Sequence, residues 1–343
     1  MRDEGVAQFS IMKSKKPVSD EHPCKIATFK PENKTRPGKV SIFNYPSDSE
    51  MSVAGKSFHK AQEVEFDWSP LGDAVLVKTS TDVDTTGQSY YGESHLYLLH
   101  ADGSHDCQII PARAGGFHDF AWSPLGKVFV AISGKSPASS ILYNMKGNPI
   151  VDFGDAHRNT VRWSPHGRFL CLGGFGNLSG DMDFWDINKK LKIGSTRSDC
   201  AVTQEWSPCG RFLMTGTLFP RMRVDNGITF YTYCGELLYK VPIEKASKVF
   251  WRPAPEGVYP DRPMSPRKKS PEQAAVAAPA PPKKQVYRPP GATGSLAAMM
   301  RQERQVADVP KKIDAGPADP TKKSKAAQRR DRKKKVSAAA SGN

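Results

Sequence analysis

Five times the chain writes a Trp followed at once by a proline-containing turn. "WSPLG" begins at Trp68 and again at Trp122, "WSPHG" at Trp163, "WSPCG" at Trp206, and a worn copy, "WRPAPEG", at Trp251. By subtraction of those positions the steps are 54, 41, 43 and 45 residues. A period in the forties marks stacked supersecondary units, and among repeat arrays it fits propeller blades best. The predicted fold is therefore all-β, a WD40-like β-propeller of about five to six blades.

Each letter of the phrase has a task in a four-residue turn. Ser caps nearby amides from the first position, Pro presets φ for the second, and Gly fits the last, where a positive φ is often needed. Alternating apolar residues flank the turn, with "EVEFDW" and "FHDFAW" ahead and "DAVLVKTS" and "RFLCLGG" behind, so each copy reads as a hairpin. A third apolar strand follows, such as "HLYLLHADG" or "MDFWDINKK", and then a weaker one, such as "PIVDFG" or "LLYKVP". Four short antiparallel strands make one blade, and one blade cannot bury both its faces. Trp68, Trp122, Trp163, Trp206 and Trp251 are thus expected to pack between neighbours. Upstream, "VSIFNYP" (40–46) aligns with the third strands, which predicts one incomplete blade before Trp68 and a chain that starts mid-blade.

The charge is lopsided. Of the net +15, residues 261–343 hold 20 Lys/Arg against 7 Asp/Glu, leaving 30 against 28 for residues 1–260. We read blades over 1–258, a Pro/Ala-rich linker over 259–294, and a basic, disordered to partly helical tail over 295–343. Short helices are expected in the tail, one capped by Ser295 and one by Asp319 with Pro320 at its first position. The segment "KKSKAAQRRDRKKK" puts Lys322, Lys323, Lys325, Arg329, Arg330, Arg332, Lys333, Lys334 and Lys335 within fourteen positions. Such a run suits phosphate backbones, and without aromatic residues it should hold RNA rather than read bases. A solvated tail or a nuclear-import signal is the blander reading. Ser265 and Ser270 each precede Pro beside Lys or Arg, where phosphorylation would weaken phosphate binding.

Within the blades, Arg221 and Arg223 in "FPRMRVDNG" are expected on one side of an extended segment before an Asn-Gly turn, suited to phosphate or to pairing with Asp225. Arg158 in "GDAHRN" is expected to join them on the same rim.

Enzymatic chemistry finds little support. "ISGKSP" is like the end of a phosphate-binding loop, but Phe129 stands where that motif needs Gly. "GGFGNLSGD" joins two strands, whereas dinucleotide sites need strand then helix. His95, His100 and His105 do not converge as metal ligands. His118 with Asp119, and Asp155 with His157, are base pairs without a nucleophile. Asp181 and Asp183 share one strand face, as surface carboxylates often do. No cofactor, metal or catalytic residue is expected. Six cysteines without regular spacing read as reduced thiols, and no apolar run is long enough to cross a bilayer. A soluble, cytoplasmic protein with no membrane partner is expected.

The stretches "TSTDVDTTGQSYYGESHLY" (79–97), "NPIVDFGDAHRNTVRWSPHGRFLCLGGFGNLSGDMDFWD" (148–186), "FPRMRVDNGITFYTYCGELLYK" (219–240) and "YRPP" (287–290) together resemble the eukaryotic translation initiation factor 2A family. The likeness covers roughly residues 1–300. It implies a nine-bladed propeller followed by a basic C-terminal region, in a wider group that includes a propeller-bearing component of initiation factor 3. It also implies binding to the small ribosomal subunit and codon-dependent, GTP-independent delivery of initiator methionyl-tRNA. Contacts with mRNA and with other initiation factors would follow. The family's first blades have no counterpart here, and a truncated gene model is the preferred explanation. The competing expectation is a WD-repeat scaffold in a complex unrelated to translation.

Overall fold

The computed structural model describes residues 4–19, 22–46, 51–81, 92–219, 221–255 and 257–265. Within them every regular element is a strand, and the strands form five antiparallel sheets of four, each in simple chain order. The first blade is β1 Gln8–Ile11, β2 Cys24–Lys30, β3 Gly38–Tyr45 and β4 Ala54–Phe58. The second is β5 Glu63–Trp68, β6 Ala74–Ser80, β7 Ser94–His100 and β8 Asp106–Ile109. The third is β9 Phe117–Trp122, β10 Val128–Ser133, β11 Ala138–Asn144 and β12 Pro149–Ala156. The fourth is β13 Thr160–Trp163, β14 Phe169–Gly173, β15 Asp181–Asp186 and β16 Leu191–Arg197. The fifth is β17 Thr203–Trp206, β18 Phe212–Thr217, β19 Gly227–Thr232 and β20 Leu237–Pro242. This is a β-propeller array, as the period requires.

Two expectations are corrected. The blade before Trp68 is complete, because β1 supplies an innermost strand that no Trp-Ser-Pro announces. The fifth tryptophan, Trp251, opens no further sheet among the described residues; it closes against the fifth blade instead. Contacts with the blades also continue past residue 258, the expected end of the blade segment, as far as Met264.

The repeated turn has the chemistry its letters imply. In the second blade Gly72 N–H donates to the Ser69 carbonyl at 2.9 Å, while the Ser69 hydroxyl accepts from the amides of Asp73 and Ala74. Ser123, Ser164 and Ser207 close their turns through Gly126, Gly167 and Gly210, each at 2.8 Å. Glycine answers a second demand there. At Gly126 φ is 70°, and a Cβ would meet Leu71, the variable residue of the preceding turn, at 2.9 Å. Leu125 covers Gly167 and His166 covers Gly210 in the same way, so successive turns overlap like tiles. Met12 takes that place over Gly72 where the first blade has no such turn.

The core is divided into four, one between each pair of successive blades. Phe29, Val40 and Ile42 of the first blade meet Val64 and Trp68 of the second. Leu76 and Leu98 meet Trp122 and Phe129; Val130 and Leu142 meet Val161 and Leu170; Phe169 and Phe184 meet Trp206 and Tyr231. The tryptophans are the wedges. Each indole N–H also donates to the carbonyl of the residue just before the preceding blade's Trp. Trp122 reaches Asp67 at 2.9 Å, Trp163 reaches Ala121 at 3.2 Å, Trp206 reaches Arg162 at 2.9 Å, and Trp251 reaches Glu205 at 3.1 Å. Trp68 follows the blade without the motif, and its buried indole N–H has no acceptor among the described residues.

That asymmetry is testable. Trp122→Phe keeps an apolar ring but leaves the Asp67 carbonyl without its donor, and should destabilise by about 1–3 kcal/mol. Trp68→Phe loses no hydrogen bond and should destabilise measurably less in urea unfolding. Equal losses would remove the indole ladder from the account of stability.

Candidate functional site

Antiparallel order places the connections β2–β3, β6–β7, β10–β11, β14–β15 and β18–β19 at one end of the array, with the links between successive blades. The Trp-Ser-Pro turns lie at the other. Loops at such ends are free of ladder hydrogen bonds and are where propellers present their binding residues.

The first end holds the residues singled out between blades. Arg221 is exposed and donates from Nη2 to Asn177 Oδ1 at 2.8 Å, joining the β18–β19 loop to the glycine-rich β14–β15 loop of the neighbouring blade. Arg223 is exposed and makes no ion pair among the described residues. The segment carrying them is not extended. Met222 N–H donates to the Leu218 carbonyl, Asn226 Nδ2 donates to the Met222 carbonyl, and the positive φ falls on Asp225 rather than on the glycine. The two arginines therefore sit on a compact turn. Exposed Lys34, Arg36 and Lys135 occupy other connections at this end. Lone surface cations carry no sequence signal, and only strand order groups them.

Arg158 does not join this patch. Its side chain is 6% exposed, donates to the carbonyls of Phe153 and Gly154 at 3.3 Å, and is ion-paired with Asp183. Lys192 and Ser195 also bind Asp183, at 2.6 and 2.8 Å. Burial pushes the Asp183 carboxyl up, but hydrogen bonds from Lys192, Ser195 and Arg158 outweigh it and hold it below the usual range. Here the arginine is an internal tie, because its partner lies on a strand 25 residues away. The nine tail positions, Lys322 to Lys335, lie outside the described residues, as do the expected helices.

The remaining motifs resolve into structural roles. "ISGKSP" is the β10–β11 connection, and "GGFGNLSGD" spans the end of β14 and the start of β15. His100 and His105 stack edge to face at 5.4 Å and reach the carbonyls of Met145 and Lys146, bridging blades two and three. His118 sits 2.6 Å from the Gly134 carbonyl, and His157 lies 2.7 Å from the Ser136 hydroxyl. Asp155 pairs with Arg113 at 2.9 Å. Among the described residues no group of three or more His, Cys, Asp or Glu is placed to hold a metal ion, and no helix is long and apolar enough to cross a membrane.

Carboxylates on the innermost strands were not foreseen in the role they take. Asp67 Oδ2 accepts from the Trp122 amide, Asp119 Oδ2 from the Val161 amide at 2.7 Å, and Glu205 Oε2 from the Trp251 amide. Asp67 and Asp119 each tie one innermost strand to the next blade, and Glu205 ties the last one to the segment after β20. Burial pushes the Asp67 carboxyl up to about 6, against the Trp122 amide that favours its charge and with help from nearby Asp119 and Glu65. Burial raises Asp119 too, opposed by the Val161 amide and Arg162.

Two outcomes follow. Folded Asp67 takes up a proton between about pH 6 and its ordinary 3.8, so its contribution to stability falls as pH rises through that window. Asp67→Asn keeps an acceptor for the Trp122 amide without the buried charge. It should stabilise the protein by about 1–3 kcal/mol at pH 7.5, a gain that shrinks severalfold by pH 4.5 in chemical denaturation. Arg158→Ala removes one of three partners of Asp183 and frees the carbonyls of Phe153 and Gly154, and should destabilise by about 1–3 kcal/mol, while Arg223→Ala should leave the unfolding midpoint nearly unchanged.

Similarity to known proteins agrees with this architecture. The family model described as Eukaryotic translation initiation factor eIF2A matches residues 56–249, from within β4 to just past β20. Eukaryotic translation initiation factor 2A of Dictyostelium discoideum is 44% identical, covering 71% of this chain and 40% of that protein. Its Schizosaccharomyces pombe counterpart is 32% identical over 86% of this chain and 51% of that protein. A component of eukaryotic translation initiation factor 3 from Xenopus laevis is 27% identical over 67% of this chain and 33% of its own length. A crystal structure of a eukaryotic initiation factor superposes with a TM-score of 0.65 at 29% identity, covering 75% of this chain and 60% of that one. The chain thus spans between a third and about half of these curated relatives.

Proposed function

The chain belongs to the eukaryotic translation initiation factor 2A family, and from that premise we propose that it works as a non-enzymatic binding platform in translation initiation. Its blades hold the small ribosomal subunit, and its basic tail grips RNA by phosphate contacts, so that initiator methionyl-tRNA is delivered in a codon-dependent way without GTP. The setting is the cytoplasm, and other initiation factors are further partners.

One observation carries the reading: the family match runs through four of the five blades, including the loops that present Arg221 and Arg223. The described architecture supports it physically. Four packed interfaces make a stiff frame, and exposed Lys34, Arg36, Lys135, Arg221 and Arg223 stand at one end of it. Guanidinium and ammonium groups on short loops suit phosphate oxygens, which attract without reading sequence. The tail adds nine basic positions within fourteen residues. If it neutralises about 5–8 phosphates, binding should weaken by nearly one log unit per contact for each log unit of salt.

Co-sedimentation with purified small subunits at rising salt tests both parts. The full chain should bind with a steep salt dependence, and a version ending near residue 300 should bind more weakly with a shallower slope. Reversing charge at Arg221 and Arg223 together should weaken binding further, about tenfold. Equal binding by full and shortened chains would remove the tail from the mechanism. Recovery of an unrelated stable complex, without ribosomal proteins, would favour a scaffold outside translation.

A further inference from the structure

The chain beyond β20 passes back over the Trp-Ser-Pro turns of blades four and five, and it is held at both ends. Trp251 anchors it first, with its amide donating to Glu205 Oε2 at 3.2 Å and its indole N–H to the Glu205 carbonyl at 3.1 Å. Further on, His166 Nε2 stands 2.6 Å from the Tyr259 carbonyl. Arg168 Nη1 donates to the Arg262 carbonyl at 3.4 Å, and Arg211 Nη1 to that of Pro263 at 3.1 Å. Met264 packs into the core between the two blades. Between this segment and the turns lies a cavity of about 450 Å³. Sites for small ligands span about 300–1,000 Å³ and are usually preformed, as this one is by the contacts at either end of the segment.

The lining combines aromatic rings with positive charge. Trp206, Trp251 and Tyr259 contribute to it, together with four prolines. Tyr259 is 45% exposed, so its ring is open to a ligand. Arg252 and Lys15 bring the cations, and Arg252 is exposed and takes part in no ion pair among the described residues. Glu205 is the one carboxylate among the described lining residues, and its Oε2 already accepts from the Trp251 amide.

We propose that this cavity binds a nucleoside phosphate, with the base against Trp251 and Tyr259 and the phosphate against Arg252. Other ligand classes fit the lining less well. A quaternary ammonium suits aromatic walls but would meet the charges of Arg252 and Lys15. An extended peptide needs backbone donors, and the prolines offer none. A base needs only a π-face to stack on, and its phosphate carries the negative charge that a guanidinium attracts. Because aromatic rings accept any base, selectivity among bases should be weak. A free nucleotide and one unstacked nucleotide of a single strand offer the same chemistry. The cavity lies at the Trp-Ser-Pro end of the array, opposite the loops of Arg221 and Arg223, so it is separate from the surface to which RNA or ribosome contact is assigned above.

Photo-crosslinking of the full chain tests this with two probes, 4-thiouridine 5′-monophosphate and a single-stranded tetranucleotide carrying one 4-thiouridine, the adducts being mapped by mass spectrometry. Adducts are expected within residues 251–259. Labelling by both probes identifies a free nucleotide as sufficient, and labelling by the tetranucleotide alone identifies a strand as the ligand. Adenosine 5′-monophosphate should suppress these adducts, and ribose 5-phosphate at the same concentration should not, since it lacks the base. Arg252→Gln should raise the probe concentration for half-maximal labelling about tenfold, while the exposed position leaves the unfolding midpoint unchanged. Adducts confined to other residues, suppression by ribose 5-phosphate equal to that by the nucleotide, or labelling of Arg252→Gln at the original concentration would each overturn the proposal. No ribosome enters the experiment and adducts on the tail are scored apart, so its failure is separate from failure of the proposed function.

Discussion

A single hydrogen bond, repeated, explains why this chain can be built from sheets too small to stand alone. Each innermost strand is the edge of its sheet, with backbone groups that no ladder partner satisfies. The next blade's tryptophan meets that need twice over. Its ring fills the gap between sheets, and its N–H donates to the carbonyl beside the preceding tryptophan. Aspartates on the same strands take up backbone amides of the following blade, and Glu205 takes up that of Trp251 beyond the last one. Unpaired edge groups, which invite association, become the joints of the array. Trp68 shows what happens at a joint whose preceding blade lacks the motif: the ring is buried, but the N–H is left over.

This construction separates rigidity from recognition. Apolar burial and the indole ladder lie mainly between blades, with a few connection residues such as Ala61 and Phe175 tucked into the cores, so the exposed positions of the loops can vary in charge without touching a core. The β18–β19 loop uses that freedom to project two arginines, one of which crosses to the neighbouring blade's loop. The opposite end, with its short overlapping turns, is where residues 257–264 dock. Loops positioned by a stiff frame lose little entropy on meeting a partner.

Legibility from the sequence followed the strength of the local signal. Trp, Ser, Pro and Gly at fixed spacing announce a turn whose every residue has a local reason, and the hairpins at Trp68, Trp122, Trp163 and Trp206 form as written. β1 was hidden because Met12 replaces the turn at its end and no tryptophan marks it. Trp251 misled in the opposite sense: it keeps the indole bond to Glu205 but is followed by prolines that donate nothing to a ladder. Arg158 reads as a rim cation because its loop is polar. Its partner Asp183 lies on another strand, and nothing local links them. Asp119 reads as half of a general-base pair, while its carboxylate in fact caps the amide of Val161 on the next blade.

The amino-acid order by itself determined the repeating unit, its hairpin, its strand sequence and the family, since each rests on residues close together or on a regular period. Tertiary structure alone decided which carbonyl each indole meets, which arginine is buried and which is presented, and that the chain past Trp251 returns across two blades. Those outcomes depend on groups tens of residues apart being brought within about 3 Å, where hydrogen bonds and ion pairs act. A linear pattern carries no distance of that kind until the sheets have packed.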